Sequence, residues 1–263
     1  MSEEIVKLNE AGGGRVLFLG YSREQTRLID ELIERGCQVS YTLGPIQTTE
    51  GFDLVVSFGY RHILTKAVIE SSDAPIVNLH IAYLPFNRGA HPSFWSFFEG
   101  TPSGVTIHLI DEGIDTGPIL FRKCVEFDPD ELTFAQAYDV LIEEIQDLFM
   151  ERVDAIIEES FTPRAQRGRG SYHKVADLPK EFGGWDTRIG DEIRRLDGIL
   201  GGEIERRLAI VDEIERVRKS NNVNWMDLLR LAIRSSPDAS KKLIRRINQD
   251  DRRISDLLEN LGQ

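Results

Sequence analysis

The strongest constraint on the fold is an alternation of short apolar runs with helical stretches over the first 80 residues. Arg15-Val16-Leu17-Phe18-Leu19-Gly20 is a compact run closed by glycine. Apolar side chains at consecutive positions leave no solvent-facing side, which suits a strand covered on both faces, as in a parallel sheet. Residues 23–35 carry Leu28, Ile29, Leu32 and Ile33 at helical spacing and stop at Gly36. Further strands are expected over Cys37–Thr42, Asp53–Phe58 and Pro75–Leu79, with a helical stretch near 64–70. This pattern predicts an α/β fold with an open, mainly parallel sheet flanked by helices. Ligands of such sheets bind beyond the carboxyl ends of the strands, and Asn78 and His80 fall at one of those ends.

Beyond residue 90 the sequence predicts a helix around 92–99 and strands over Gly104–Ile110 and Ile119–Phe127. Thr133 and Gln136 have capping-box spacing and open a long helix. Its apolar face is expected to carry Phe134, Ala137, Val140, Leu141, Ile145, Leu148 and Phe149. Residues 161–190 lose periodicity around Gly168, Gly170, Pro179, Gly183 and Gly184, which suggests an irregular wrapping segment. Three parts follow: a flexible lead-in over 1–14, a main domain over 15–190 and a helical appendage over 191–263. Gly198, Gly201 and Gly202 interrupt the pattern near the start of that appendage. Leu243, Ile247, Ile254, Leu258 and Leu261 trace a stripe near its end, and Asn221–Met226 suggests a helix break before Trp225.

Charge and cysteine usage narrow the function. The 263 residues carry a formal charge of −12. Residues 201–263 hold 13 basic and 11 acidic side chains, a net +2, which leaves −14 for the first 200 residues. Nucleic-acid binding needs clustered Lys and Arg, so it is not expected. No apolar run reaches the ~18 residues of a membrane span, and the acidic Met-Ser-Glu-Glu start is unlike a signal peptide. The two cysteines, Cys37 and Cys124, lie far apart, which argues against a disulfide framework and for a reducing, cytoplasmic setting. The five histidines show no metal-ligand spacing. Gly12-Gly13-Gly14 precedes the first strand instead of following it, contrary to a dinucleotide fingerprint, and no nucleophile elbow or Walker A sequence occurs.

Residues 78–120 concentrate the chemistry. Asn78-Leu79-His80 ends one strand, and Gly104–Ile110 runs into Asp111-Glu112-Gly113-Ile114-Asp115-Thr116-Gly117. An amide donor and an imidazole can stabilise an oxyanion, and a carboxylate can orient the imidazole or move protons. That set suits transfer of an acyl group to an amine. Composition alone favours a plainer account, in which Asn78 and Asp115 cap turns, His80 is a satisfied loop histidine and His108 is an ordinary strand histidine.

Asn78-Leu79-His80, Leu84-Pro85-Phe86-Asn87-Arg88-Gly89 and the segment Gly104–Gly117 together resemble the signature of the folate-dependent formyltransferases. The resemblance covers about residues 15–190. Phe94-Trp95-Ser96-Phe97 and Gly170-Ser171-Tyr172-His173-Lys174 look closest to the nucleotide-sugar N-formyltransferase branch. Many relatives read Asn-x-His-Pro-Ser, whereas here His80 is followed by Ile81-Ala82. His91-Pro92-Ser93 lacks the preceding Asn and is expected to start a helix.

The resemblance implies a Rossmann-like formyltransferase fold and a catalytic triad of Asn78, His80 and Asp115. It implies N10-formyltetrahydrofolate as formyl donor, with the pterin near Arg61, His62, Ile63 and Leu64 and the loop of Asp111, Glu112 and Gly113. The implied acceptor is a nucleotide-linked amino deoxysugar for surface polysaccharide of the O-antigen type, bordered by Tyr83, Arg88, Gly89, Tyr172, His173 and Trp185. Arg88 is the expected phosphate contact. A carboxylate beside His80 is expected to favour its charged form. A homodimer is expected, with neither nucleic acid nor membrane as partner. The alternatives are a methionyl-tRNA or glycinamide ribonucleotide formyltransferase, or a non-catalytic folate-binding protein.

Overall fold

The computed structural model describes residues 5–10 and 12–201, together with Leu231, Ile233, Arg234 and Ser236. The strands are β1 (Val6–Lys7), β2 (Arg15–Gly20), β3 (Gln38–Thr42), β4 (Leu54–Phe58), β5 (Ile76–His80), β7 (Gly104–Leu109) and β8 (Ile119–Cys124) in one sheet, ordered β1-β3-β2-β4-β5-β7-β8. A separate short ladder pairs β6 (Arg88–Gly89) with β9 (Tyr172–His173) in parallel. The helices are α1 (Leu28–Glu34), α2 (Lys66–Glu70), α3 (Pro92–Phe98) and α4 (Phe134–Ile157).

Alternation along the central strands sorts their side chains onto two faces. Val16, Phe18, Val56, Val77, Leu79, Val105 and Ile107 share a core with Leu28 and Leu32 of α1 and Leu141, Ile145 and Phe149 of α4. Leu17, Leu19, Val55 and Ile76 face the other way, onto Leu64 and Val68. Both faces are therefore buried, as the unbroken apolar runs require. Asn78 and His80 share the second face with Ile76, but lie further along β5, past the cover that α2 provides.

Within the lead-in, residues 6–9 are structured where flexibility was expected. Val6–Lys7 pairs antiparallel with β3, and the Asn9 amide bridges the Cys37 carbonyl at 2.8 Å and the Val39 N–H at 2.8 Å. This side chain satisfies backbone groups on the edge of β3, where a polar segment carries no apolar signal. The strands β2-β3, β2-β4 and β4-β5 pair in parallel, whereas β7 runs antiparallel to both β5 and β8.

Several boundaries move. Residues 23–25 form a turn and α1 starts at Leu28, while Thr26 donates its hydroxyl to the buried Gln146 Oε1 at 2.8 Å. The last sheet strand ends at Cys124 instead of Phe127. Thr133 and Gln136 do form the capping box of α4. Val140, placed on its buried face by spacing, is 39 % exposed, because it lies between the rows that reach the sheet. His91 stands immediately before α3.

Residues 161–190 wrap back over the loops after β5. A helix covers 189–201 and runs through Gly198 and Gly201. The chain divides into two compact units, Met1–Leu196 and Asp197–Gln263. The apolar stripe from Leu243 to Leu261 and the break near Trp225 lie outside the described residues. Among the described residues no helix is long and apolar enough to cross a membrane.

Candidate active site

The antiparallel pairing of β5 with β7 sets Asn78 opposite His108 and His80 opposite Thr106. All four lie on one face of the sheet, with Ser57 beside them on β4. The Asn78 Oδ1 accepts from Ser57 Oγ at 2.9 Å. Its Nδ2 donates to His108 Nε2 at 3.2 Å and to Asp115 Oδ1 at 3.2 Å. Only an NH2 group can face a carboxylate at that range, so Asp115 fixes which way the amide points.

His108 was missed as a site residue. Its Nδ1 donates to the Leu109 carbonyl at 2.8 Å, which leaves Nε2 to accept from Asn78. The strand position was legible in the sequence, but the antiparallel register that sets it across from Asn78 was not.

Asp115 reaches the site from the loop after β7 with φ 52°, a left-handed backbone that a non-glycine residue adopts at a cost. Its Oδ2 accepts from the Gly89 N–H at 2.8 Å and lies 3.7 Å from His80 Nε2, and its Oδ1 lies 3.5 Å from His108 Nε2. Burial pushes its pKa up. The facing His80, the neighbouring His108 ring and the Gly89 N–H outweigh that and hold the carboxyl well below the ordinary range.

His80 departs from the expected charged form. Burial lowers its pKa, and His108 adds to this; the nearby Asp115 and the Asn87 carbonyl pull the other way without reversing it. Its Nε2 faces the Asn87 carbonyl at 3.3 Å as well as Asp115. Both neighbours are acceptors, so the proton of the neutral ring sits on Nε2 and Nδ1 carries the lone pair.

Asn87 is fully buried and left-handed, with φ 57°. Its N–H donates to Ser171 Oγ at 2.9 Å, its Oδ1 accepts from the same hydroxyl at 3.0 Å, and its Nδ2 donates to Thr101 Oγ1 at 2.8 Å. Gly89 has φ 84°, and a Cβ there would collide with the His173 carbonyl.

A cleft of about 460 Å³ opens over these groups. Asn78, His80, His108 and Asp115 line it, as do His62, Ile63, Leu64, Gly89, Asp111 and Gly113. Ile63 is 80 % exposed and Ile114 45 % exposed at this cleft. Apolar side chains left open beside a polar centre mark a surface that a ligand covers.

A profile of the formyl transferase family matches residues 45–153. The chain is 30% identical over 184 residues to the dTDP-4-amino-4,6-dideoxyglucose formyltransferase of Mycobacterium tuberculosis (strain ATCC 25618 / H37Rv), covering 67% of this chain and 70% of that one. The chain belongs to the formyl transferase family. Another relative is the methionyl-tRNA formyltransferase of Clostridium botulinum (strain Alaska E43 / Type E3), 35% identical over 127 residues, with 48% of this chain and 40% of that one covered. Among solved structures, the formyltransferase PseJ from Anoxybacillus kamchatkensis, in complex with UDP-4,6-dideoxy-4-formamido-L-AltNAc and tetrahydrofolate, superimposes with a TM-score of 0.63. It is 36% identical and covers 67% of this chain and 96% of that chain.

The remaining residues singled out in this formyl transferase chain divide into those on the cleft and those beside it. Arg61 lines an adjoining cavity with Gly20, Leu43 and Pro45, which shares Tyr21, Gly59 and His62 with the cleft. Glu112 pairs with Lys66 at 2.6 Å outside the cleft. Asp111 spends Oδ1 on the Gly113 N–H and the Thr116 hydroxyl, which shapes the loop.

Arg88, the expected phosphate contact, donates from Nε and Nη2 to Gln166 Oε1 at 3.0 and 2.9 Å. The Tyr83 ring lies under the Arg122 guanidinium at 4.3 Å. Tyr172 packs beside Gly89. His173 stacks on Trp95 with ring centroids 3.8 Å apart. Trp185 lines a neighbouring groove.

Proposed function

We propose that this chain is an N-formyltransferase that moves the formyl group of N10-formyltetrahydrofolate onto the amino group of a nucleotide-activated amino deoxysugar, in the cytoplasm, for surface polysaccharide of the O-antigen type. The observation that carries the reading is the convergence of Asn78, His80 and Asp115 on one cleft with open apolar walls. The likeness to a dTDP-amino-sugar formyltransferase and to PseJ, which is bound to a UDP-linked formamido sugar and tetrahydrofolate, supports this acceptor class.

Ile63, Leu64 and Ile114 would take the flat apolar part of the donor, which would cover the exposed area of Ile63. The bound donor supplies the electrophilic formyl carbon. The acceptor amine attacks that carbon, and negative charge grows on the formyl oxygen. Asn78 stabilises this charge through Nδ2. Both of its N–H groups are engaged at rest, but at 3.2 Å each bond is at the long end of the usual range and can be exchanged.

His80, neutral at rest, takes the amine proton on Nδ1. Asp115 then faces an imidazolium and stabilises it; collapse of the oxyanion would break the bond between the formyl carbon and N10 of the donor, with the imidazolium returning its proton to N10 so that tetrahydrofolate leaves. A carboxylate held so far below its ordinary pKa is a poor proton acceptor itself, so orientation and charge support are the roles given to Asp115.

The test is release of tetrahydrofolate when the purified protein meets N10-formyltetrahydrofolate and a panel of 3-amino and 4-amino 6-deoxy sugars linked to dTDP, UDP or GDP, with mass detection of the formyl gain. Formylation that disappears in His80→Ala supports the reading. Formylation of methionyl-tRNA or glycinamide ribonucleotide instead, or donor binding without transfer to any amine, would replace it.

A further inference from the structure

Gly89 gives one N–H to the reaction centre, and the short ladder sets its direction. The Arg88 N–H donates to the Ser171 carbonyl at 3.1 Å, and the Ala90 N–H donates to the His173 carbonyl at 2.9 Å. Successive residues of a parallel strand send their N–H groups to opposite edges. The Gly89 N–H therefore leaves from the edge away from β9, where Asp115 Oδ2 accepts it at 2.8 Å. Whatever holds β9 against β6 thereby aims a donor at Asp115.

Two strands of two residues each do not hold together by backbone bonds alone. Side chains around the ladder must supply the rest. At one end the Asn87 N–H and amide engage the Ser171 hydroxyl. At the other end stands His173. Its neighbour Tyr172 is 45 % exposed, so His173 is the β9 side chain that turns inward.

The His173 ring lies flat on Trp95, with centroids 3.8 Å apart and 8° between the planes. Its Nε2 lies 3.1 Å from Glu99 Oε1, at the end of α3. Trp95 is buried and is itself held edge-on by Phe94 and Phe98 at 5.1 and 5.7 Å between centroids. The ring therefore rests on a fixed surface. The helix that carries this surface begins at Pro92, directly after the loop that follows Gly89. Stacking thus ties the wrapping segment to the chain just downstream of the N–H that it aims. His173 is not among the residues that line the reaction cleft.

We propose that His173 is a positioning residue for formyl transfer: stacked on Trp95, it holds β9 against β6 and so keeps the Gly89 N–H on Asp115. The inference rests on the proposed function, which places Asp115 beside His80 during transfer. It makes the flat face of the ring matter more than its nitrogens. Phenylalanine keeps that face and gives up only the contact with Glu99.

Steady-state kinetics and NMR of protein labelled with 15N-glycine test this. His173→Ala should lower kcat by about 10-fold or more and change KM by no more than about twofold, as expected when a group beside the reacting atoms is displaced. His173→Phe should recover most of kcat. An amide that donates to an ionised carboxylate resonates downfield, and Asp115→Ala identifies the Gly89 signal by removing its acceptor. That signal should move upfield and exchange faster with solvent in His173→Ala, and stay in place in His173→Phe. A side chain that merely adds stability would lower the melting temperature without moving the signal in folded protein. If His173→Ala does not fold, His173→Leu, which keeps bulk without a flat ring, replaces it in both measurements.

Wild-type kcat in the variant without a ring, an unmoved Gly89 signal, or a phenylalanine variant no better than it would overturn the assignment. If wild type formylates the sugar panel and the Gly89 signal does not move, the positioning role fails while the proposed function stands. If wild type formylates no amine, the proposed function falls, and the Gly89 signal still shows whether His173 aims that N–H.

Discussion

Gln166 holds Asp115 by its backbone: Nε2 donates to the Asp115 carbonyl at 2.8 Å and to the Gly117 carbonyl at 2.8 Å. Arg88 in turn fixes Gln166 by donating twice to its Oε1. The wrapping segment thus steadies a residue whose backbone is left-handed and whose carboxylate meets both histidines. Gln166→Ala should lower kcat by about 10- to 100-fold, with a smaller change in KM, the scale expected when a reacting group is displaced by about 1 Å. Gln166→Glu keeps the volume and the Arg88 contact but turns oxygen toward two carbonyls, and should be at least as damaging. Steady-state kinetics with the identified acceptor decides; wild-type kcat in both variants would remove the positioning role.

Asn78→Ala should cost about 10²-fold or more in kcat, the scale of a lost oxyanion donor. His108→Ala acts differently. It removes the acceptor for one Asn78 N–H in a buried site, so it should destabilise the fold by about 1–3 kcal/mol as well as slow the reaction. Asn78→Ala strips bonds to Ser57, His108 and Asp115 and should lower the melting temperature as well, so kinetics measured well below both melting temperatures separates lost chemistry from lost stability.

The lowered pKa of His80 sets the acid side of the activity profile. The neutral ring is the active form, so kcat/KM should stay level as pH drops from 7 through the reference histidine value of ~6.5 and fall only below it. A fall centred at or above the reference value would contradict the burial argument.

Stability follows the same groups. Below ~6.5 an unfolded His80 takes a proton that the folded one resists, so acid favours unfolding until the pH reaches the lower folded value. Asp115 contributes stability that is present above its unfolded value of ~3.9 and lost as pH falls through its folded one. Chemical denaturation of wild type and His80→Phe between pH 4 and 8 should show a weaker pH dependence in the variant.

Asn87→Ala should destabilise by about 2–4 kcal/mol, because it strips hydrogen bonds to Ser171 and Thr101 and leaves alanine in a left-handed backbone. Asn87→Gly relieves only the backbone part and should be less harmful. The order of the two melting temperatures checks the assignment.

The layout of the sheet was largely readable from apolar runs, because strands buried on both faces must be apolar throughout. Val6–Lys7 was not, since its pairing rests on backbone bonds and on Asn9. The direction of β7 was not either. A buried strand shows the same side-chain pattern whichever way it runs, so neither the register that gives His108 its place nor its contact with Asn78 could be read. Asn78, His80 and Asp115 stood out through motif resemblance, and geometry brings them together. The partner of Arg88 was not legible: a loop arginine beside a reaction centre suggests phosphate, and no spacing in the sequence foretells that its Nε and Nη2 donate to Gln166 Oε1.

The parallel ladder between Arg88–Gly89 and Tyr172–His173 has a consequence in time. The Asn87–Ser171 bond joins residues 84 positions apart, and Gln166 reaches back to Asp115 across 51. During synthesis every sheet strand can be out of the ribosome while the reaction loops still lack the groups that hold them. A nascent chain stopped at residue 160 should therefore contain all seven strands and remain inert, and competence should arrive only as the segment through His173 emerges.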